Sequence, residues 1–332
     1  MWIAVLAGFA LVAAGALYQW MGAARDARRF PPPGRAIEIG RRRLHVVVRG
    51  DGAPAVWFES AIAASSLSWS RVQPLAARFT TACAYDRAGL GWSDPPPAPL
   101  TLAHVVDDLQ AAIVASRCAT PCILVGHSFG AFVCLAFAAT YPQEVRGLVL
   151  VDPPTDWIDP DQRQLYMLRG ARQLSRIGAW LARLGVVRAC LALLTGGVPA
   201  APRYFVKVFG SATARTVERL VGEVRKLPAD VHPLVQAAWS QPKSFSAMAE
   251  YLRVFEEAAT SVRRFQMPGD IALAVISAGD QTADVIAAHQ TLARTSSRGR
   301  YILAAKSTHW VPFDEPDVIV EAIRQLIDLT EC

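Results

Sequence analysis

The chain has 332 residues, 52% hydrophobic and 19% charged, which is enough for one α/β core with an insertion and too apolar for disorder over most of its length. Its net charge of +6 is carried by residues 1–50, which hold eight arginines against Asp26 and Glu38. The other 282 residues balance 26 basic against 26 acidic side chains, and so neutral a body argues against nucleic acid as a partner.

Residues 1–24 carry no charged side chain, and Trp2 to Trp20 is an almost unbroken apolar run, long enough to cross a bilayer as a helix. Trp2, Tyr18 and Trp20 lie near its ends, where interfacial rings are favoured. A cleaved signal peptide is the competing reading, but basic residues normally precede its apolar core and none does here. The expectation is therefore a single-pass anchor in the cell membrane. Positive charge flanks the span only on its C-terminal side, which places the domain that follows in the cytoplasm. Residues 25–35, with Arg25, Arg28, Arg29 and Pro31-Pro32-Pro33-Gly34, form a basic, proline-rich linker. Arg41 to Arg43 read equally as a headgroup contact or as a solvated turn.

Strand and helix patterns then alternate, as in a largely parallel sheet covered on both faces. Ala36 to Ile39 and Leu44 to Arg49 read as an opening hairpin, Ala55 to Phe58 as a strand, Trp69 to Phe79 as a helix and Ala82 to Tyr85 as a strand. Leu102 to Ser116 is helical, Cys122 to Val125 a buried strand, Ala131 to Ala139 a buried helix, and Leu148 to Val151 another strand. Residues 153–267 show helical periodicity without a convincing parallel strand. Ile271 to Ser277 and Tyr301 to Ala304 then resume the sheet. The organisation expected is a core in two parts, 36–152 and 268–332, split by a helical cap over 153–267. The cysteines read as small hydrophobes. Cys118 and Cys122 are spaced loosely like a metal pair but lack a second pair, so no metal is expected. With no phosphate loop or dinucleotide fingerprint in the sequence either, no cofactor is implied.

The segment Val125-Gly126-His127-Ser128-Phe129-Gly130 places a serine inside Gly-x-Ser-x-Gly between a strand-like and a helical run, the context of a nucleophile elbow. The bare pattern arises by chance in on the order of one chain of this length in ten, so the flanking elements carry the inference. Such a serine needs a base to take its proton. His309 is placed for that after the last strand, whereas His45 lies in the hairpin, His104 and His289 on helices, His127 inside the elbow and His232 beside Pro233.

From about Pro33 to Leu329 the chain resembles the α/β-hydrolase superfamily. Besides the elbow, Tyr85-Asp86-Arg87-Ala88-Gly89-Leu90-Gly91-Trp92-Ser93 is similar to that family's loop after the fourth strand. Thr308-His309-Trp310-Val311-Pro312-Phe313, with Pro316, is similar to its terminal histidine segment. The resemblance implies the α/β-hydrolase fold and a triad in the order Ser128, Asp280, His309. Asp280 holds the family's commoner acid position, and Asp152 is the alternative because some relatives take the acid from that earlier strand. The acid holds the imidazole tautomer and stabilises the imidazolium.

The resemblance also implies an oxyanion hole from the backbone N–H of Phe129 and one from the loop after the third strand, here Ile62. The family's His-Gly pair is replaced by Ser60-Ala61, followed by Ile62-Ala63. Alanines at 61 and 63 reach positive φ less cheaply than glycine, which puts the geometry of that loop in question. Glu59 reads either as a structural anchor or as a second acid.

The aromatic and thioether side chains Trp157, Tyr166, Met167, Trp180, Phe205, Trp239 and Phe245, with Trp310, suggest a wall for an apolar acyl or alcohol group. A serine at the elbow argues against the epoxide-opening and dehalogenating relatives, which carry aspartate there. The expected activity is hydrolysis of a carboxylic ester, thioester or lactone through an acyl-serine intermediate, on a small-molecule or lipid-like apolar substrate. Amide or C–C bond hydrolysis on the same triad, or a catalytically impaired binding protein of the same fold, are the alternatives.

Overall fold

The computed structural model describes residues 2–97, 99–195, 224–265 and 269–331. Eight strands form one sheet: β1 (Arg35–Ile39), β2 (Arg42–Arg49), β3 (Val56–Glu59), β4 (Ala82–Tyr85), β5 (Cys122–His127), β6 (Val145–Val151), β7 (Ala272–Ala278) and β8 (Gly299–Ala304). Their spatial order is β1-β2-β4-β3-β5-β6-β7-β8. The β1–β2 and β2–β4 pairs are antiparallel and every later pair is parallel. The order reverses around β3 and β4 and then runs outward, so the C-terminal ends of β3, β5, β6 and β7 lie side by side along one edge. In an open α/β sheet that edge is where sites form.

Among the described residues the helices are α1 (Trp2–Arg29), α2 (Gln73–Ala76), α3 (Leu102–Ser116), α4 (Phe129–Thr140), α5 (Gln162–Arg183), α6 (Val186–Thr195), α7 (His232–Trp239), α8 (Pro242–Ser261), α9 (Ala283–Ala293), α10 (Val311–Asp314) and α11 (Pro316–Glu331). The central strands β3 to β7 are buried on both faces almost throughout, as a parallel sheet sandwiched by helices requires. One apolar cluster joins the sheet to α3, α4 and α8, and a second joins its other face to α11.

The sheet agrees with the sequence reading to within a few residues at each end. The helix expected over Trp69 to Phe79 instead breaks into a 3₁₀ turn, Ser66–Trp69, and the single turn α2, whose Pro74 lies in its first turn. Among the described residues between β6 and β7 the regular elements are helical, namely α5 to α8 after a short 3₁₀ turn. The N-terminal helix is long and apolar enough to cross a membrane. It also runs on through Arg25, Arg28 and Arg29, residues expected to belong to a linker.

That helix is joined to the helices between β6 and β7. The buried Gln19 donates from Nε2 to the Ser240 carbonyl at 3.0 Å, and Arg188 donates to Gln19 at 3.0 Å and to Asp26 at 2.7 Å. The indole N–H of Trp92 reaches the Phe30 carbonyl at 3.2 Å.

Candidate active site

Strand β5 ends at His127, and Ser128 turns the chain into α4 with φ 55° and ψ −120°. A non-glycine residue holds so unfavourable a backbone only when its surroundings fix it. Its N–H is held by the Val151 carbonyl at 2.9 Å, and its own carbonyl accepts from Ala131 at 2.9 Å. The flanking glycines are required by space: a Cβ on Gly126 would lie 2.5 Å from the Gly130 carbonyl oxygen, and one on Gly130 would lie 2.3 Å from that of Glu59. The Ser128 side chain makes no capping bond to α4, which leaves its hydroxyl for other work. Phe129 opens the helix, so its N–H has no intrahelical partner.

His309 lies past β8, on a loop pinned at several points. The His127 ring donates from Nε2 to the His309 carbonyl at 2.8 Å. Next door, Thr308 gives its N–H and hydroxyl to Asp314 at 2.9 and 2.7 Å, and Lys226 pairs with the same carboxylate at 2.9 Å. Burial, followed by the charge of His309, lowers the His127 pKa to about 3, so that ring stays neutral and serves as a strut.

The acid beside His309 is Asp152, and the expected pairing with Asp280 is not made. His309 Nδ1 donates to Asp152 Oδ2 at 2.6 Å. A carboxylate can only accept, so this bond fixes the proton on Nδ1 and leaves Nε2 as the basic nitrogen. Asp152 is buried, directly follows β6 with φ 44°, and receives the Ala278 N–H at 3.0 Å and the Gln281 amide at 2.6 Å. Burial pushes its pKa up, but these bonds and the neighbouring imidazole outweigh that and hold the carboxyl below its ordinary value. Asp280 lies two residues beyond β7 and is exposed. The reason is topological: β6 lies next to β5 in the sheet, so a residue ending β6 emerges directly beside the elbow. The turn after β7 instead supplies Gln281, which orients Asp152.

The loop after β3 is fastened from beneath. Arg87, buried on the loop after β4, forms an ion pair with Glu59 at 2.5 Å. It also donates to the carbonyls of Ser60 at 2.7 Å and Ile62 at 3.1 Å, and to that of Ala61. The Tyr85 hydroxyl completes the Glu59 carboxylate, and the rings of Phe129 and Tyr251 lie 5.0 and 4.9 Å from the guanidinium carbon. The neighbouring Asp86 accepts the N–H groups of Ser66 at 2.7 Å and Trp92 at 2.9 Å and the His45 ring at 2.9 Å. Neither Ala61 nor Ala63 has a positive φ, so the replacement of glycine is accommodated by a loop held through its carbonyls. Glu59 is thereby an anchor of this loop. Sequence reasoning left it undecided and gave Arg87 no individual role, although both stand at strand ends on the same edge.

Ser128, His309 and Ile62 line a cavity of about 270 Å³, together with Leu67, Trp239, Met248, Trp310 and Phe313. No Lys or Arg lies among its described lining residues. Of the aromatic wall expected from sequence, Trp239 and Trp310 take part. Tyr166, Met167 and Trp180 are exposed at 78%, 53% and 67%, Trp157 packs on Phe255 with ring centres 5.6 Å apart, Phe245 faces Gly178, and Phe205 lies outside the described residues.

A profile of the alpha/beta hydrolase fold family matches residues 54–176. The 2-(acetamidomethylene)succinate hydrolase of Mesorhizobium japonicum is 26% identical over 297 residues, 89% of this chain and 95% of that protein. An uncharacterized protein of Schizosaccharomyces pombe is 33% identical over 117 residues, and that match spans only 21% of its length. Among solved structures, a thermophilic esterase from Thermogutta terrifontis superposes with a TM-score of 0.61 at 17% identity, covering 90% of this chain and 99% of that one. An alpha/beta hydrolase fold protein from Burkholderia ambifaria gives 0.63 at 20%, covering 88% and 97%.

Proposed function

Because this chain belongs to the α/β-hydrolase superfamily, we propose that it hydrolyses a carboxylic ester, thioester or lactone bearing an apolar group, with Ser128 as nucleophile, His309 as base and Asp152 as the orienting acid. The observation that carries the reading is the His309–Asp152 bond of 2.6 Å beside a strained serine in the same cavity. His309 Nε2 takes the hydroxyl proton as Ser128 Oγ adds to the carbonyl carbon. The oxygen that becomes negative is met by the N–H groups of Phe129 and Ile62. The imidazolium then returns the proton to the departing alkoxide or thiolate, leaving an acyl-serine. Water, deprotonated by the same imidazole, releases the acid. The helices between β6 and β7 act as the cap that supplies Trp239 and Met248.

Amide hydrolysis on the same residues is the second reading, favoured by the match to a hydrolase named for an acetamido-bearing diacid. The apolar lining favours an uncharged substrate over a dicarboxylate. Fluorophosphonate labelling of wild type and Ser128→Ala, followed by a panel of activated esters and anilides of rising chain length, tests this. Unlabelled wild type would overturn the serine mechanism, and a preference for anilides would replace the ester.

The N-terminal helix is read as an uncleaved anchor with the folded body in the cytoplasm. Gln19 and Asp26 are built into the fold through Ser240 and Arg188, and cleavage of a signal would remove the buried Gln19 and what it holds. Carbonate-resistant membrane association with an intact N-terminus is expected. Digestion of the body by protease added to spheroplasts would place it outside.

A further inference from the structure

Helix α5 has an apolar face that takes no part in the cavity. Tyr166, Leu174, Ile177 and Trp180 fall on one side of it at 100° per residue, with Arg163, Gly170 and Gln173 interspersed, and are exposed at 78%, 67%, 48% and 67%. Its opposite side, with Leu168, Ala179 and Ala182, is buried, and Gly178 lies against Phe245 of α8. Arg169, Arg176 and Arg183, seven residues apart, border the exposed face, and the Arg183 guanidinium stacks 4.9 Å from the Trp180 ring. An exposed apolar stripe edged by arginines is the pattern of a helix lying in a lipid interface.

A second observation bears on the same face. The backbone of α1 touches the end of α5 at Gly15: a Cβ there would lie 2.4 Å from the Leu184 carbonyl oxygen, and one on Gly185 would lie 2.7 Å from that of Gly15. Among the described residues, Trp2 to Ala14 therefore precede the first contact with α5, about 20 Å of helix at 1.5 Å per residue. A bilayer core is about 30 Å thick. The shortfall of about 10 Å matches the depth to which an interfacial helix sinks, about 5–10 Å. Leu17, Tyr18 and Trp20, beside the junction, remain exposed at 55%, 45% and 68%, so the apolar surface of α1 continues past the contact with α5.

We infer that the outer face of α5 lies in the leaflet from which α1 emerges, with its apolar side chains among acyl chains and Arg176 and Arg183 on anionic headgroups. This rests on the reading of α1 as an anchor. It adds that the folded body itself is part of the membrane attachment, which would bring the cavity close to the lipid surface.

The test is photolabelling of the full chain in phosphatidylcholine–phosphatidylglycerol vesicles containing a phospholipid with a diazirine in its acyl chain. Adducts are expected on α1 and on peptides covering Tyr166 to Trp180. Leu174→Glu with Ile177→Glu should lose the α5 adducts while retaining those on α1 and the wild-type unfolding temperature, since both positions are exposed. Adducts confined to α1 would overturn the inference and assign the face to solvent or a protein partner. Adducts on neither helix would overturn the anchor reading, and the inference with it.

Discussion

At the C-terminal edge of the sheet, the candidate site is tied to backbone: Ser128 to Val151, Asp152 to Ala278, and Arg87 to three consecutive carbonyls. In the helices between β6 and β7, α5 and α8 meet through apolar packing and long ion pairs at the rim, Arg169–Glu256 at 3.7 Å and Arg172–Glu250 at 4.0 Å. Exposed pairs of that kind contribute about 0–1 kcal/mol. The edge is therefore fastened through backbone groups, while the helices above it meet through side chains. Substitutions at the edge should act on turnover, and substitutions in the wall on substrate choice.

The largest effect expected is at the proposed nucleophile and base. Ser128→Ala or His309→Ala should lower turnover by about 10⁴-fold or more, and combining them should add little, because the two act as one unit. Unfolding temperatures should stay near wild type. A double variant much worse than either single one would separate their roles and break the unit.

Next comes the proposed acid, where the edge makes its sharpest claim. Asp152→Asn should depress turnover by about 10⁴-fold through the wrong imidazole tautomer, with little change in KM. Asp280→Asn, on an exposed turn, should leave turnover within about twofold of wild type. The reverse result would show that the turn after β7 moves in the working enzyme.

These two carboxylates also show what a sequence can and cannot disclose. The strands and the elbow were legible because their signals are local: apolar runs of strand length and glycines at fixed offsets. Asp280 and Asp152 both follow an apolar strand, and nothing local distinguishes them. The choice depends on β6 lying between β5 and β7, a pairing made across long separations. The arginine clamp was hidden for the same reason, since Glu59 and Arg87 meet only because β3 and β4 pair in parallel. The cap aromatics misled in the opposite direction. Helical spacing places Tyr166 and Trp180 on one face of α5 without saying whether that face looks inward.

A smaller effect is expected at the clamp. Arg87→Met removes the donor to the Ser60, Ala61 and Ile62 carbonyls and strands Glu59, so it should destabilise the fold by about 3–5 kcal/mol. Pairing it with Glu59→Gln removes the stranded charge and should recover part of that stability. If the clamp positions the oxyanion loop, turnover in the double variant should remain about 10²-fold low even when it is folded. Recovery of both together would reduce Arg87 to a purely structural role.

The smallest effect is in the pH dependence of stability. Asp152 is held below its ordinary carboxylate value of 3.8, so the folded state binds this proton less readily than the unfolded chain does. The sign follows by linkage: the contribution of Asp152 is fully present above the unfolded pKa and is lost as pH falls through the lower, folded one. Asp152→Asn cannot titrate there. The stability difference between wild type and this variant should therefore shrink as pH is lowered from about 5 toward about 2. Thermal unfolding of both proteins across that range measures it. A difference that stays constant or widens on acidification would mean that the His309 and Gln281 bonds do not favour the ionised carboxylate, and that the edge is less firmly organised than its distances indicate.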